Sequence, residues 1–122
     1  METKSQFHDI LKQKMDLYAH EIYRITKDFP KSELYGLVSQ IRRSSVSVVL
    51  NYIEGFARIK QKVYINFLEI SYGSLKETQY LLVFSYKESL IKETDFNKIN
   101  ALGDEIGAML WSIMKNVKSE LV

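Results

Sequence analysis

The sequence predicts an all-α protein, an antiparallel up-down-up-down four-helix bundle, and three observations carry that prediction. Apolar residues recur at steps of three and four along almost the whole chain. A single proline and five glycines in 122 residues are too few turn formers for an all-β sandwich. The polar connections between the periodic stretches are short, so consecutive helices must return beside one another. An apolar content of 46% is ample for one core, and the length fits one domain over residues 1–122.

The first helix is expected from Ser5 to Asp28, with Ile10, Leu11, Leu17, Tyr18, Ile22, Ile25 and Phe29 at helical spacing. Phe29-Pro30 closes it, because the residue before a proline is pushed out of the α region. Ser32 is then a candidate N-cap for helix two, with Glu33 in an acidic first turn. Gly55 reads as the stop of that helix, and residues 56–62 form a short link. Helix three is expected from Lys62 to Ser89, with Tyr64, Phe67, Leu68, Ser71, Leu75, Leu82 and Tyr86 near a three-four repeat. Gly73-Ser74 in its middle costs up to about 1 kcal/mol of helix propensity, which predicts close approach of another backbone there. Residues 90–93 read as a turn. Thr94 reads as the N-cap of helix four, with Asp95 favourably placed near its start. Phe96, Ile99, Leu102, Ile106, Leu110, Ile113, Val117 and Leu121 then face the core.

Helix two carries the most information. From Tyr35 to Arg58 it reads as one long helix on which Gln40, Ser44, Ser47, Asn51, Glu54 and Arg58 form a polar stripe bordered by Arg43. Leu37, Ile41, Val48 and Tyr52 make one apolar row, and Val38, Val49, Ile53 and Phe56 make a second. Val46 and Leu50 widen the apolar arc beyond what a surface helix needs. The helix is therefore expected to be covered on more than one side, with self-association as the consequence. The stripe reads first as structural, a set of groups that hydrogen-bond across a helix or subunit interface and fix register. The eight tyrosines likewise read as core and interface residues.

Charge is unevenly distributed. The net charge is +2, but residues 42–62 hold five cations (Arg42, Arg43, Arg58, Lys60, Lys62) and one anion (Glu54), leaving the remainder at −2. These five cations are the candidate contacts for RNA or DNA, set against the plainer reading of a solvated face. No stretch reaches the roughly 18 uncharged apolar residues of a membrane span, and the N-terminus lacks a signal-peptide core. The absence of cysteine removes disulfides and thiolate sites and fits a cytoplasmic protein.

The catalytic signatures of helical bundles are missing. A di-iron bundle needs Glu-x-x-His on two helices, whereas Ser5 and Leu17 stand three residues before His8 and His20. HEPN-type ribonucleases place an arginine shortly before a histidine, and Arg24 follows both. There is no phosphate loop, nucleophile elbow or zinc motif. Nothing fixes a separation between Glu54 and Glu69 as paired carboxylates. No enzyme activity, metal or cofactor is expected, and both histidines read as ordinary residues of the first helix.

Phe29, Pro30, Tyr35, Gly36, Leu37, Gln40, Arg42, Arg43, Ser47, Asn51, Glu54 and Gly55, followed by Phe67-Leu68, Gly73-Ser74-Leu75 and Glu77, form a pattern that resembles a known family. These are the four-helix-bundle proteins encoded by intervening sequences in bacterial 23S ribosomal RNA genes. The likeness covers nearly the whole chain from helix one onward. It departs at Val49, where the family often has proline, so helix two is expected to be straighter here. The resemblance implies a small bacterial protein that assembles as a ring-like homopentamer. It also implies a relation to the accessory proteins of diversity-generating retroelement reverse transcriptases, which bind nucleic acid through basic surface. The expected function is thus a non-enzymatic oligomeric scaffold or nucleic-acid-associated protein. The alternatives are a bundle that uses the polar stripe for a small ligand and a purely structural self-assembling protein.

Overall fold

The computed structural model describes residues 3–121; positions 1, 2 and 122 of the expected domain lie outside the described residues. Four helices, α1 (Lys4–Thr26), α2 (Ser39–Phe56), α3 (Gln61–Lys87) and α4 (Glu93–Glu120), form an antiparallel bundle. Each packs on its chain neighbours, and α1 closes the bundle against α4, the arrangement that short links dictate.

Helix α1 opens with a capping box: the Thr3 hydroxyl accepts from the Gln6 amide at 3.1 Å, and the Gln6 side chain accepts from the Thr3 amide at 2.7 Å. Its buried stripe is Leu11, Met15, Tyr18, Ala19, Ile22 and Ile25. Leu17, which the sequence places at helical spacing with these residues, lies off that stripe and is 51% exposed. Leu121 likewise lies beyond the end of α4 and is exposed.

Helix two does not begin as one regular helix. Pro30 leads into a 3-10 turn, Lys31–Glu33, and then a π turn, Leu34–Val38, before α2 proper starts at Ser39. Ser32 does not cap it; Pro30 occupies the cap position of the 3-10 turn, where its carbonyl accepts from the Glu33 amide at 2.9 Å, and Val38 that of α2. The wide turn takes up one extra residue, and such turns are frequent at functional positions. The irregularity therefore sits at the start of α2, well away from Val49.

The expected end of helix two at Gly55 holds to within one residue, but the cap position is Ala57 and not the glycine. Gly55 is buried inside α2, which runs on to Phe56, and a Cβ on it would lie 2.8 Å from the Phe67 Cβ. The glycine exists for close packing of α2 on α3. Gly73, where the sequence predicts that approach, is exposed with open space around its Cβ direction. Helix α3 ends at Lys87, and Ser89 takes a left-handed φ of 62° as the chain turns. Thr94 lies inside α4, whose cap position is Lys92, with Glu93 and Asp95 as the acidic first turn.

Tyr18, Leu11, Met15, Ile22, Ile41, Tyr52, Leu68, Leu75, Leu82, Ile99, Ile106 and Leu110 are fully buried between the helices. Glu21 ties α1 to α4 beside them: its carboxylate accepts from Arg24 at 2.6 Å and from Lys98 at 3.1 Å, and Arg24 also reaches Asp95 at 2.9 Å. Among the described residues no helix is long and apolar enough to cross a membrane.

Candidate functional site

The polar stripe of α2 faces α3. Ser44 is buried, and Ser47 and Asn51 are half-buried. The row on α3 that meets them is Ser71, Ser74 and Thr78, spaced to lie on one helix face. Ser71 donates to the Val48 carbonyl at 2.6 Å, Thr78 lies 2.7 Å from Ser44, and Ser74 lies 2.9 Å from Ser47. Asn51 donates to the Ser47 carbonyl and hydroxyl, both at 2.8 Å. Small hydroxyl residues allow both helices to approach, and their hydrogen bonds satisfy the polar atoms so enclosed. Serines at α2–α3 contacts thus replace aliphatic packing with a register-specific ladder.

The outer members of the stripe do something else. Gln40 and Arg43 are exposed and line a cleft of about 590 Å³ with Tyr35, Gly36, Ser39, Ser44, Ser47, Ser74 and Glu77. The π turn supplies one wall of that cleft. Glu54 turns outward and accepts from Arg58 at 2.8 Å. Glu69 pairs with Lys118 at 3.5 Å, so Glu54 and Glu69 are engaged with separate cations.

The five cations of residues 42–62 are dispersed. Arg42 turns toward α1, where its Nε donates to the Thr26 hydroxyl at 2.8 Å and its guanidinium lies 4.5 Å from the Tyr23 ring centre. Arg43 is exposed at the cleft. Arg58, paired with Glu54, also lies over the Phe67 ring at 5.0 Å. Lys60 and Lys62 are exposed at the α2–α3 link, beside the fully exposed Ile59. Arg43 lies thirteen residues before the end of α2 at Phe56, about 20 Å along the axis, and Arg58 follows in the turn beyond it. On one subunit the cations thus form two separated groups.

His8, read from sequence as an ordinary helix residue, is half-buried and bonds through Nδ1 to the Tyr52 hydroxyl of α2. The two residues are 44 positions apart, and no local pattern links them. Burial and the nearby Lys4 hold the imidazole below its usual range, while Asp9 acts weakly in the opposite direction. Among the described residues no group of three or more His, Cys, Asp or Glu converges as a metal site.

These features define a class: a four-helix bundle with a hydroxyl-laddered α2–α3 seam and large apolar groups left on its surface. The family model for 23S rRNA-intervening sequence protein matches residues 8–112, and the chain belongs to that family. A crystal structure of a protein with unknown function from the S23 ribosomal protein family of Bacteroides thetaiotaomicron is similar, with a TM-score of 0.82 and 26% identity over 89% of this chain and 98% of that one. The comparison with curated proteins gives no significant match.

Proposed function

We propose that this protein is a non-enzymatic oligomeric scaffold that associates with nucleic acid through its basic α2–α3 link. The observation that carries the reading is the set of large apolar side chains outside a bundle whose core is already filled. Tyr35 is 93% exposed, Tyr80 66% and Leu50 55%. Leu17, Leu50 and Ile53 belong to α1 and α2, whereas Tyr80 and Phe84 belong to α3 and Tyr35 to the π turn. Two different apolar faces favour a head-to-tail contact between copies, which closes into a ring when the rotation permits. The family resemblance supplies the number five.

A ring repeats Arg58, Lys60 and Lys62 once per subunit, so a weak single patch becomes a multivalent one. The expected partners are RNA or DNA, together with a nucleic-acid enzyme of the reverse-transcriptase kind that the family resemblance suggests. A cytoplasmic setting agrees with the cysteine-free sequence. Light scattering at micromolar concentration tests the assembly, with a single species of several subunits expected. A monodisperse monomer contradicts it.

The cleft between the π turn and α3 favours a second reading, a small polar ligand held by Gln40, Arg43 and Glu77. Gln40→Ala and Arg43→Ala variants that keep assembly and nucleic-acid binding but lose a bound metabolite support this alternative.

A further inference from the structure

We propose that the aromatic pocket around His8 is a binding site for a small planar molecule bearing one carboxylate. The pocket is a cleft of about 540 Å³ between the start of α1 and the end of α2, closed by Tyr64 of α3. This size suits a drug-like ligand. The proposal is independent of the nucleic-acid reading, since it uses none of the basic-link residues.

The hydrogen bond to Tyr52 engages Nδ1 of the imidazole and leaves Nε2 for other partners. Tyr52 is 2% exposed, and burial pushes its phenol well above the usual range, so it stays protonated. A phenol has one hydrogen to donate. His8 Nδ1 is its partner among the described residues. In the tautomer that gives this buried hydroxyl an acceptor, the hydroxyl donates to Nδ1 and the imidazole proton resides on Nε2, which has no protein partner among those residues. His8 thus presents an unused N–H donor beside an apolar cleft.

The walls supply the rest. The Phe56 ring centre lies 4.5 Å from that of His8 at 68°, and the Tyr64 ring lies 6.2 Å beyond Phe56, edge to face. Such an array receives the face or edge of another aromatic ring at favourable distances. Ile53, 47% exposed in the single subunit and part of the apolar face assigned above to contact between copies, borders the outer side. At the rim stand Lys4, Lys12 and Asp9, two cations against one anion. An apolar body laid over the outer side of Phe56 and Tyr64, which touch each other edge to face, brings its carboxylate to His8 and the lysine side of the rim, away from Asp9. A cationic ligand would meet two lysines and a donor.

The test uses indole-3-acetate as probe on the assembled wild-type protein, followed by the histidine ring resonances in NMR at neutral pH. His8 is expected to shift and saturate at submillimolar probe. Exposed His20, 3.4 Å from Asp16, is the internal reference and stays in place. Indole-3-acetamide, which lacks the charge, is expected to bind at least about tenfold more weakly, and tryptamine not at all. Ser5→Trp, at an exposed lining position outside the apolar faces assigned to assembly, fills the cleft and should abolish the shift while the helical circular dichroism and the oligomer mass by light scattering are unchanged. His8→Phe should lose binding by about tenfold or more. A silent His8 resonance, equal affinity for the acetamide, or binding retained in Ser5→Trp overturns the proposal. A neighbouring copy that fills the cleft overturns it as well, because the assembled protein then gives no response.

Discussion

Gly55 and Phe67 meet so closely that a methyl group on the glycine would lie 2.8 Å from the phenylalanine Cβ. This contact, with the hydroxyl ladder further along the seam, sets the distance between α2 and α3. Gly55→Ala is expected to destabilise the protein by about 1–3 kcal/mol, because the backbones must separate. Gly73→Ala has open space and is expected to stabilise by up to about 1 kcal/mol, the helix-propensity gain. Thermal unfolding of the pair checks the sign difference. Two stabilising substitutions would remove the close-packing account of Gly55.

The stripe divides into residues half-buried beside the seam, such as Asn51, whose bonds stay within α2, and residues exposed to solvent, such as Glu54. Asn51→Leu breaks two hydrogen bonds to Ser47 and is expected to cost about 1 kcal/mol. Glu54→Leu removes only an exposed pair with Arg58 and is expected to stay within about 0.5 kcal/mol in the folded subunit. Denaturant midpoints distinguish the two. Equal effects would mean that exposure does not separate them.

Much of the fold is legible in the sequence, for a physical reason. Helical periodicity, Phe29-Pro30 and the short links specify the bundle because each acts over a few residues. What the sequence hides depends on partners distant in the chain. Gly55 has the composition of a C-cap, and only its approach to Phe67 makes it a packing residue. Ser32 and Thr94 have capping side chains, yet Ser32 lies in the 3-10 turn that Pro30 opens, α2 starts only after Val38, and Lys92 holds the cap position of α4. Arg42 and Arg43 look alike in sequence, and one turns into the α1 seam while its neighbour faces the cleft. His8 and Tyr52 lie 44 residues apart, which no local pattern spans. The dipeptide Gly73-Ser74 has the composition of a single close-contact motif, but only Ser74 touches α2.

Glu21 makes stability depend on acid. Its hydrogen bond to Arg24, and more weakly the interaction with Lys98, hold the carboxyl below its ordinary value of 4.5 against the opposing effect of burial. A depressed folded-state value means that the unfolded chain binds the proton first. The contribution is therefore fully present above that ordinary value and is lost as pH falls through the folded one. Glu21→Gln is expected to lower the melting temperature at neutral pH and to flatten its fall in acid. An unchanged acid limb would show that other carboxylates govern it.

His8 adds a second dependence at higher pH. Its folded-state value lies below the ordinary 6.5, so stability is complete above that value and declines as pH falls toward the folded one. The groups facing it are Lys4, Asp9 and Lys12 on α1, Tyr52 on α2, Tyr64 on α3 and Glu120 on α4. His8→Phe is expected to remove the decline just below pH 6.5 while leaving the acid limb of Glu21. A wild-type melting temperature flat across that window contradicts the burial of the neutral imidazole.

The most direct test of the proposed function is the salt dependence of RNA binding by the assembled protein, measured by anisotropy of a labelled single strand. If the basic link of each subunit engages phosphates, the logarithm of affinity falls linearly with that of salt, by about 0.7 per neutralised phosphate. Reversing Arg58, Lys60 and Lys62 to Glu is expected to abolish binding while scattering reports the same oligomer. Tight wild-type binding without salt dependence, unchanged binding by the triple variant, or no binding at low salt would contradict the account.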